Sequence, residues 1–440
     1  MNKNDTILSD KPLSLPLPPK GEAGRGLVIA INTRLLIKNK LEGIGRFTYE
    51  TVKRLCENHP EHTFYLLFDR MYDKSYVFAP NVVPIIVPFQ SRHPFLWWFW
   101  FHVQVPRVLK SLKADVFVST DGYIPLNCKI PVVNVIHDLN FEHNPQHLTP
   151  LVRWYYRKFF PQYARAATRI ATVSTFSKLD IAQMYGIDEN KIDVVYNGVS
   201  SEFKPLGLYD KNLVKQKYTN GENYFVYVGS LHPRKNIERL LLAFEQFKQQ
   251  SPLTRHCGLD PQPERSGARQ SQSPINNEEI AGQARNDGKP MKLVIVGEAM
   301  FMAQTIRAVY EKSTAHNDIV FTGRVSNKEL AELLGAAFAL VYVPLFEGFG
   351  IPIVEAFACN VPVITSNTTS MPEVGGEAAL LVNPEDVNSI VEAMKEIADN
   401  PKTYERLQEN AVVQLQKFSW DKTADALWGA IEKVVDGKER

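Results

Sequence analysis

Short apolar segments of strand length alternate with helical stretches along most of the chain, and this alternation restricts the fold more than any other feature. The segments form two series, one before and one after residue 205. Such alternation is typical of parallel sheets with helices on both faces. We therefore predict the α/β class, with two Rossmann-like, doubly wound domains facing each other across a cleft. Ligands of such sheets bind beyond the carboxyl ends of the strands, so functional residues are expected in loops that follow strands.

Changes in composition set the predicted boundaries. Residues 1–26 form a polar leader rich in Pro and Gly, and residues 251–290 lack aromatic residues, which is typical of a disordered insertion. We predict an N-terminal domain over 27–205, a C-terminal domain over 206–420, and a helix over 421–440 that crosses back to the first domain. The predicted strands are 27–31, 63–68, 82–87, 116–119, 132–136, 170–173, 192–195, 224–228, 292–296, 319–322, 339–343, 361–365 and 379–382.

The balance of charge excludes binding of nucleic acid by bulk charge. The 440 residues include 50 Lys and Arg against 48 Asp and Glu, a net charge of +2. The four cysteines are far apart and form no C-x-x-C pair, which favours a reducing cytoplasm over a disulfide framework or a zinc site. The longest apolar run, 95–101, is far shorter than the roughly 20 residues of a membrane-spanning helix. We therefore expect a cytoplasmic protein.

The first candidate site is the segment GSLHPRKN at 229–236, between a predicted strand and a predicted helix. Gly229 lets the backbone approach a ligand closely. Arg234 and Lys235 stand at a helix start, where the helix dipole and free N–H groups already favour an anion. This pattern predicts a diphosphate site. The alternative interpretation is a solvated basic pair at the helix start.

The second candidate site is the segment EGFGIPIVE at 347–355, which follows another predicted strand. Gly348 and Gly350 let the main chain curl against a ligand, and a proline just after them starts a helix. We place Glu355 in the first turn of that helix, where its carboxylate can accept hydrogen bonds from vicinal hydroxyls such as those of a ribose. An acidic residue that merely improves a helix N-terminus would account for Glu355 but not for Glu347 and the two glycines.

In combination these segments resemble the family-4 retaining glycosyltransferases, which have the two-domain GT-B fold. The resemblance spans nearly the whole chain outside the leader and the insertion. It implies that the C-terminal domain binds a sugar nucleotide, which is a substrate, so no cofactor is expected. By this resemblance Gly229, Arg234 and Lys235 contact the diphosphate, Arg324 and Val325 the base, Glu355 the ribose, and Glu347 with the backbone of Phe349, Gly350 and Ile351 the sugar and phosphates.

The resemblance also assigns residues of the N-terminal half. Gly43 and Gly45 match the family's glycine loop over the donor diphosphate. His137, directly after the strand predicted at 132–136, then hydrogen-bonds the donor sugar near the reacting carbon. Without the resemblance, a histidine after a strand is more often structural than catalytic. The catalytic residues implied are therefore His137 and Glu347.

The sequence contains no D-x-D motif, the carboxylate pair with which other glycosyltransferases bind a metal ion. Cationic side chains and helix dipoles would then stabilise the leaving diphosphate, and no metal site is expected. The resemblance implies retention of anomeric configuration, by front-face attack in which a donor phosphate oxygen takes the acceptor's proton.

An aromatic run, FLWWFWFH at 95–102, is the main surface candidate outside the donor site. One interpretation is a helix that packs Trp98, Phe99 and Phe101 into the N-terminal domain. The other is peripheral contact of Trp97 or Trp100 with anionic lipid at the inner face of the membrane, assisted by nearby basic residues. Those basic residues are Arg92, Arg107, Lys110 and Lys113.

The functional prediction is a metal-independent, retaining hexosyltransferase of cell-surface polysaccharide biosynthesis. The preferred donor is GDP-mannose, on resemblance to mannosyltransferase-like members, and the acceptor is a glycan or a lipid-linked glycan. A UDP-hexose, glucosyl-type transferase of the same fold and a non-catalytic sugar-nucleotide binder remain alternatives. A phosphorylase or an epimerase of similar architecture is the other class considered, but the pyridoxal-binding lysine segment of a glycogen-type phosphorylase is not found.

Overall fold

A computed structural model of the chain describes residues 26–38, 40–41, 43–250, 291–298 and 304–437. The predicted insertion at 251–290 and nearly all of the predicted leader lie outside the described residues. The chain forms two compact units. The described residues of the first unit fall within Met1–Val135, Pro150–Ile170 and Trp428–Arg440, and those of the second within Ile136–Thr149 and Ala171–Leu427.

A seven-stranded sheet is built from the first series of strands, in the order β3-β2-β1-β4-β5-β6-β7. The pairs β1–β2, β2–β3, β1–β4 and β4–β5 are parallel, with Val28 opposite Thr63 and Ile29 opposite Val116. The strands are β1 Val28–Asn32, β2 Thr63–Phe68, β3 Val82–Ile86, β4 Val116–Ser119, β5 Val132–Val135, β6 Arg169–Thr172 and β7 Ile192–Val194. The helices of this series are α1 Gly43–Asn58, α2 Pro94–Phe99, α3 Val105–Leu112, α4 Asn140–His143, α5 Pro150–Ala166 and α6 Thr175–Tyr185.

A six-stranded sheet is built from the second series, in the order β10-β9-β8-β11-β12-β13, and all of its strand pairs are parallel. The strands are β8 Asn223–Val228, β9 Met291–Val296, β10 Ile319–Gly323, β11 Ala339–Tyr342, β12 Val363–Ser366 and β13 Ala379–Val382. The helices are α7 Leu208–Thr219, α8 Ile237–Gln250, α9 Gln304–Lys312, α10 Asn327–Gly335, α11 Ile351–Ala358, α12 Met371–Gly375, α13 Val387–Asp399, α14 Pro401–Leu415 and α15 Trp420–Asp436.

The second sheet is buried on both faces, because every residue of β11 and β12 is buried and helices such as α8 supply apolar side chains. Strand β8 lies between β9 and β11, so the order of strands reverses at this point. In a parallel sheet all carboxyl ends lie along one edge, and the crevice beside a reversal is the usual ligand site. The loops that follow β8 and β11 are therefore held next to each other.

The α/β class and the two doubly wound sheets are confirmed, and the predicted strands agree with the observed ones to within two residues at either end. Helix α10 has a side-chain cap, because the Ser326 hydroxyl accepts a hydrogen bond from the Glu329 N–H. The domain boundaries at residues 205 and 420 stay predictions. Within the described residues, no helix combines the length and the apolar character needed to cross a bilayer.

The aromatic run differs from its prediction. Trp100 is fully buried and Trp97 donates its indole N–H to the carbonyl of Ser91, so the lipid contact predicted for Trp100 is wrong. Trp98, predicted to be packed inside, is exposed. Phe95 and Trp98 are three residues apart and share the exposed face of the helix. Trp97, Trp100 and Phe101, also spaced by three and four residues, share the face that packs inward.

Candidate active site

The loop after β8 carries the two cations predicted to hold a diphosphate. Arg234 and Lys235 lie in a short 3-10 helix, Pro233–Lys235, which the imidazole of His232 caps by accepting the Arg234 N–H. Asn236 follows in the left-handed region, at φ 62°, and α8 begins at the next residue. The side-chain amide of Asn236 donates to the carbonyls of Val343 at 3.0 Å and Pro384 at 2.7 Å. These two hydrogen bonds fix the loop against the carboxyl end of β11.

Glu347 lies between the two cations. Its carboxylate forms ion pairs with both Arg234 and Lys235, and Arg234 also donates to the carbonyl of Phe346 at 3.1 Å. Lys235 donates in addition to the hydroxyl of Tyr342, the last residue of β11. Lys235 and Glu347 are both buried. The two predicted segments therefore meet in one buried, charge-rich cluster.

The pKa values of this cluster reflect the competition between burial and ion pairing. Burial alone favours the neutral form of Glu347, but Lys235 and Arg234 outweigh it and lower the pKa of Glu347. Burial lowers the pKa of Lys235, and the attraction of Glu347 offsets this only in part. Burial also opposes the charge of Arg234, yet Glu347 raises its pKa above the ordinary value. The carboxylate thus stabilises positive charge at a place where burial disfavours it.

The loop of Glu347 approaches the segment of His137 through Gly348. A Cβ atom on Gly348 would lie 2.7 Å from the His137 carbonyl oxygen and 2.8 Å from the Asp138 Cβ. Asp138 also contributes to the raised pKa of Arg234. His137 is half-buried and belongs to the second unit. The structure therefore places the backbone of His137 beside the loop of Glu347, whose carboxylate pairs with Arg234 and Lys235.

Helix α11 begins directly after this loop. Gly350 is its N-cap residue at φ 96°, a conformation that disfavours other residue types, and a Cβ there would also collide with Met371. At the start of α11, Pro352 has no N–H and the Ile353 N–H donates to the Gly350 carbonyl at 3.0 Å, so the Ile351 N–H is the candidate donor to an anion. The Phe349 side chain is buried against the rings of Tyr196 and Phe418, which leaves only its backbone for a ligand.

Glu355 does not lie where the sequence placed it. Helix α11 starts at Ile351, so Glu355 is its fifth residue and belongs to the second turn. The prediction of a first-turn position is wrong, because it counted the helix start from the proline at 352. The side chain is buried, and its charge contributes to the raised pKa of Cys359 one turn later.

Three glycines end the neighbouring strands β8, β9 and β10 at the same edge. Gly229 has φ 147°, and a Cβ on Gly297 would lie 1.9 Å from the Gly229 carbonyl oxygen. The Gly297 N–H donates to the carbonyl oxygen of Gly323 at 3.0 Å. Arg324, which is exposed, and Val325, which is half-buried, follow Gly323 directly. The predicted base-contacting residues therefore stand at the carboxyl edge of the same sheet as Arg234 and Lys235.

Gly43 and Gly45 are the remaining predicted residues, and both lie in the first unit at the start of α1. A Cβ on Gly45 would lie 2.9 Å from the carbonyl oxygen of Leu35, so the glycine permits a close approach of α1 to that loop. Gly43 has φ 22° and open space around it. Their predicted contact with a donor diphosphate stays a prediction.

Several residues of the cluster escaped the sequence analysis. Tyr342 is one, and Ser370 is another, since its hydroxyl donates to the Glu347 carbonyl at 2.9 Å. Gly297 could have been found, because it directly follows a predicted strand as Gly229 does.

His232 and His147 form a pair whose ring centroids are 4.9 Å apart. Burial, with a further contribution from the charge of Arg234, lowers the pKa of His232 to about 4.

Two family profiles match the chain. Residues 41–203 match the family described as Glycosyltransferase Family 4, and residues 278–413 match the family described as Glycosyl transferases group 1. The second match includes Glu347 and Glu355, and the first includes Gly43, Gly45 and His137.

Relatives and solved structures agree with these matches. The O-antigen chain mannosyltransferase B of Escherichia coli is 27% identical over 398 residues, which cover 88% of this chain and 94% of the relative. The O-antigen chain mannosyltransferase RfbU of Salmonella typhimurium is 28% identical over 331 residues, which cover 75% of this chain and 78% of the relative.

Among solved structures, a glycosyltransferase from Rickettsia africae superposes with a TM-score of 0.66 at 15% identity, covering 93% of this chain and 99% of that one. HepE from Anabaena, solved with UDP and glucose, has the same TM-score and identity and covers 92% of this chain and 99% of its own.

Proposed function

The chain belongs to the family-4 glycosyltransferases of GT-B fold, and from that premise we propose that it transfers mannose from GDP-mannose to a glycan or a lipid-linked glycan during cell-surface polysaccharide synthesis. The observation that carries this proposal is the cluster of Arg234, Lys235 and Glu347 at the carboxyl edge of the second sheet. Two adjacent cations beside the N-terminus of α11 suit a ligand with two linked phosphates better than any other common metabolite group.

The choice of mannose rests on relatives rather than on the site. Both O-antigen relatives described above are mannosyltransferases by name and are covered over most of their length. The Anabaena HepE structures contain UDP with glucose or UDP-glucose, but at 15–16% identity they support the fold alone. A UDP-hexose donor is therefore the second candidate, and the donor panel described below distinguishes the two.

In the proposed reaction the bond between the anomeric carbon and the donor's β-phosphate oxygen breaks, and the diphosphate leaves with additional negative charge. Arg234 and Lys235 stabilise that charge, with the Ile351 amide at the start of α11. Because Glu347 pairs with both cations in this structure, an entering diphosphate displaces its carboxylate from them. The freed carboxylate then accepts hydrogen bonds from the sugar hydroxyls, as the resemblance implies for this position.

The proposed stereochemistry is retention. A front-face mechanism uses the leaving phosphate oxygen to accept the proton of the acceptor hydroxyl, so it requires no protein nucleophile. His137 is assigned to hydrogen-bond the sugar near the reacting carbon, and the close packing of Gly348 on its backbone holds that segment in place. Glu355 is assigned to the ribose. The absence of a D-x-D motif and the two cations of the site support catalysis without a bound metal ion.

A panel of GDP-, UDP- and ADP-sugars, read first by thermal shift and then by transfer, tests the proposal. A ligand that binds only the native state raises the melting temperature. We expect the largest shift with GDP-mannose and transfer that continues in the presence of EDTA, with a product of the donor's anomeric configuration. Binding without transfer or hydrolysis for every acceptor offered would instead indicate a non-catalytic sugar-nucleotide binder.

A further inference from the structure

Two imidazoles, those of His147 and His232, meet beside the cations of the candidate active site. Their ring centroids are 4.9 Å apart and the rings are nearly perpendicular, with an interplanar angle of 87°. Both side chains are half-buried, and both residues belong to the second unit. His147 ends the short 3-10 helix Pro145–His147, which follows His137 along the chain. The contact therefore joins the segment after His137 to the loop of the two cations.

His232 is bonded to the loop of the cations through both its side chain and its backbone. Its Nδ1 atom accepts the Arg234 N–H at 3.3 Å, and its carbonyl accepts the Lys235 N–H at 2.8 Å. Because Nδ1 is an acceptor, the proton of the neutral imidazole lies on Nε2. None of the described residues accepts a hydrogen bond from that N–H group. His232 thus offers one donor to a ligand that binds at this loop.

His147 carries a buried polar atom without a partner. Its Nδ1 atom is buried, and within the described part of the chain neither ring nitrogen forms a hydrogen bond. A buried nitrogen left unpaired costs stability, so an apolar ring of similar size would be more stable at this position. A ligand that forms a hydrogen bond with this imidazole would remove that cost.

The charges that face His232 come from its own loop and from the loops of His147 and Glu347. Burial disfavours a charged imidazole at this position, as do the charges of Arg234 and Lys235 and the neighbouring His147, while Glu347 opposes them. The pKa of His232 therefore lies at about 4, and the imidazole is neutral at neutral pH. A diphosphate that displaces Glu347 brings more negative charge than the single carboxylate, so it favours protonation of His232.

We propose that His147 and His232 hydrogen-bond the donor's diphosphate beside the two cations, and that His232 takes up a proton when the donor binds. This inference rests on the proposed function, because it requires the diphosphate to bind at Arg234 and Lys235. Imidazole N–H groups donate to phosphate oxygens, and a protonated His232 adds a charge-assisted hydrogen bond to the leaving diphosphate. The hydroxyl of an acceptor fits this position less well, since a neutral group does not compensate the two cations once Glu347 is displaced.

Two substitutions separate a role in donor binding from a role in folding. His147→Phe keeps an aromatic ring and removes both nitrogens, so the melting temperature of the ligand-free chain should stay the same or rise. The Kd for GDP-mannose should nevertheless increase about tenfold, because the diphosphate loses a hydrogen bond. His232→Asn keeps a side-chain oxygen that can accept the Arg234 N–H, but it removes the Nε2–H and the titrating group. It should raise the Kd by a similar factor.

Calorimetric titration with GDP-mannose at pH 6, in MES and in Bis-Tris, measures the proton uptake, because the two buffers release protons with different enthalpies. GDP-mannose is preferred to GDP, whose terminal phosphate itself titrates near this pH. The wild type should take up about half a proton or more per donor bound. Its affinity should also rise as the pH falls from 7 to 5, because the bound state holds a proton that the free state lacks. Both effects should disappear in His232→Asn.

The matched control is His316→Gln, which removes an exposed histidine just before β10, at the amino edge of the second sheet. This variant should keep the proton uptake and the Kd of the wild type. Equal proton uptake by the wild type and His232→Asn overturns the inference, as does binding of GDP-mannose without any uptake.

The remaining outcomes distinguish the inference from its alternatives. An unchanged Kd for GDP-mannose in His147→Phe, with a lower melting temperature, would overturn the inference in favour of a packing role. An unchanged Kd with a raised KM for the acceptor would overturn it in favour of an acceptor site. UDP-glucose carries the same diphosphate and replaces GDP-mannose in these titrations if the donor panel favours it. If the wild type binds neither sugar nucleotide, the proposed function fails and this inference fails with it.

Discussion

The carboxylate of Glu347 occupies the position between Arg234 and Lys235 at which we place the diphosphate, and its ion pair with Lys235 is buried. A buried cation without a partner is costly, so the carboxylate keeps both cations charged and in place while the site has no ligand. Binding of the donor is then an exchange of one anion for another.

Removal of either cation should impair transfer strongly. Lys235→Ala or Arg234→Ala should lower kcat/KM by about 10²-fold or more, because the charge of the leaving diphosphate loses a stabilising partner. Steady-state transfer kinetics measures the loss. The matched control is Lys217→Ala, which breaks the exposed pair with Glu329 and should leave the rate within about twofold of wild type. Near-normal rates for both site variants would refute the assignment of the diphosphate site.

Glu347→Gln should have opposite effects on stability and on ligand response. Without the carboxylate, the buried Lys235 and the half-buried Arg234 lose their partner, and the melting temperature of the ligand-free chain should fall. A nucleoside diphosphate restores the missing negative charge, so its stabilising shift in melting temperature should exceed that of the wild type. Transfer should nevertheless decrease, since Glu347 is assigned to the donor sugar. A ligand-induced shift smaller than the wild-type shift would contradict the proposed exchange of anions.

Gly348→Ala should reduce both stability and activity. The new methyl group would lie 2.7 Å from the His137 carbonyl oxygen, so one of the two loops must move. Overpacking of this kind costs about 1–3 kcal/mol of unfolding free energy. Denaturant unfolding and transfer kinetics measure the two effects. Gly429→Ala is the control, because a Cβ there meets no atom within 4 Å and the position lies within helix α15, where alanine is favoured.

Stability should decline as the pH is lowered from about 6.5 towards 4, in part through His102. Burial lowers the pKa of His102 to about 4, below the ordinary value of 6.5 expected in the unfolded chain. Between these values the unfolded state binds a proton that the folded state does not, so the unfolding free energy falls with falling pH. In His102→Gln this dependence should be weaker. Urea titrations at pH 7, 6 and 5 give the change of unfolding free energy with pH for the wild type and for His102→Gln. Identical changes in the two proteins would exclude His102 as a contributor.

Much of the fold follows from the sequence because strand periodicity is a local signal. Each strand was found from its own run of apolar residues, and Gly229, Arg234, Lys235 and Glu347 were found because they follow strands. The ion pairs of Glu347 could not be predicted, since they join segments more than 100 residues apart through the order of strands in the sheet. The lipid contact assigned to Trp100 is wrong for a different reason: every residue from 95 to 101 is apolar, so the sequence has no periodicity that marks the buried face.

The most direct measurement is a calorimetric titration of the wild type and of Lys235→Ala with GDP-mannose, GDP and GMP. We predict that the wild type binds GDP-mannose and GDP much more tightly than GMP, and that Lys235→Ala loses most of this preference for the second phosphate. Equal affinity of the two proteins for GDP-mannose, or no preference of the wild type for any nucleoside diphosphate over its monophosphate, would contradict it.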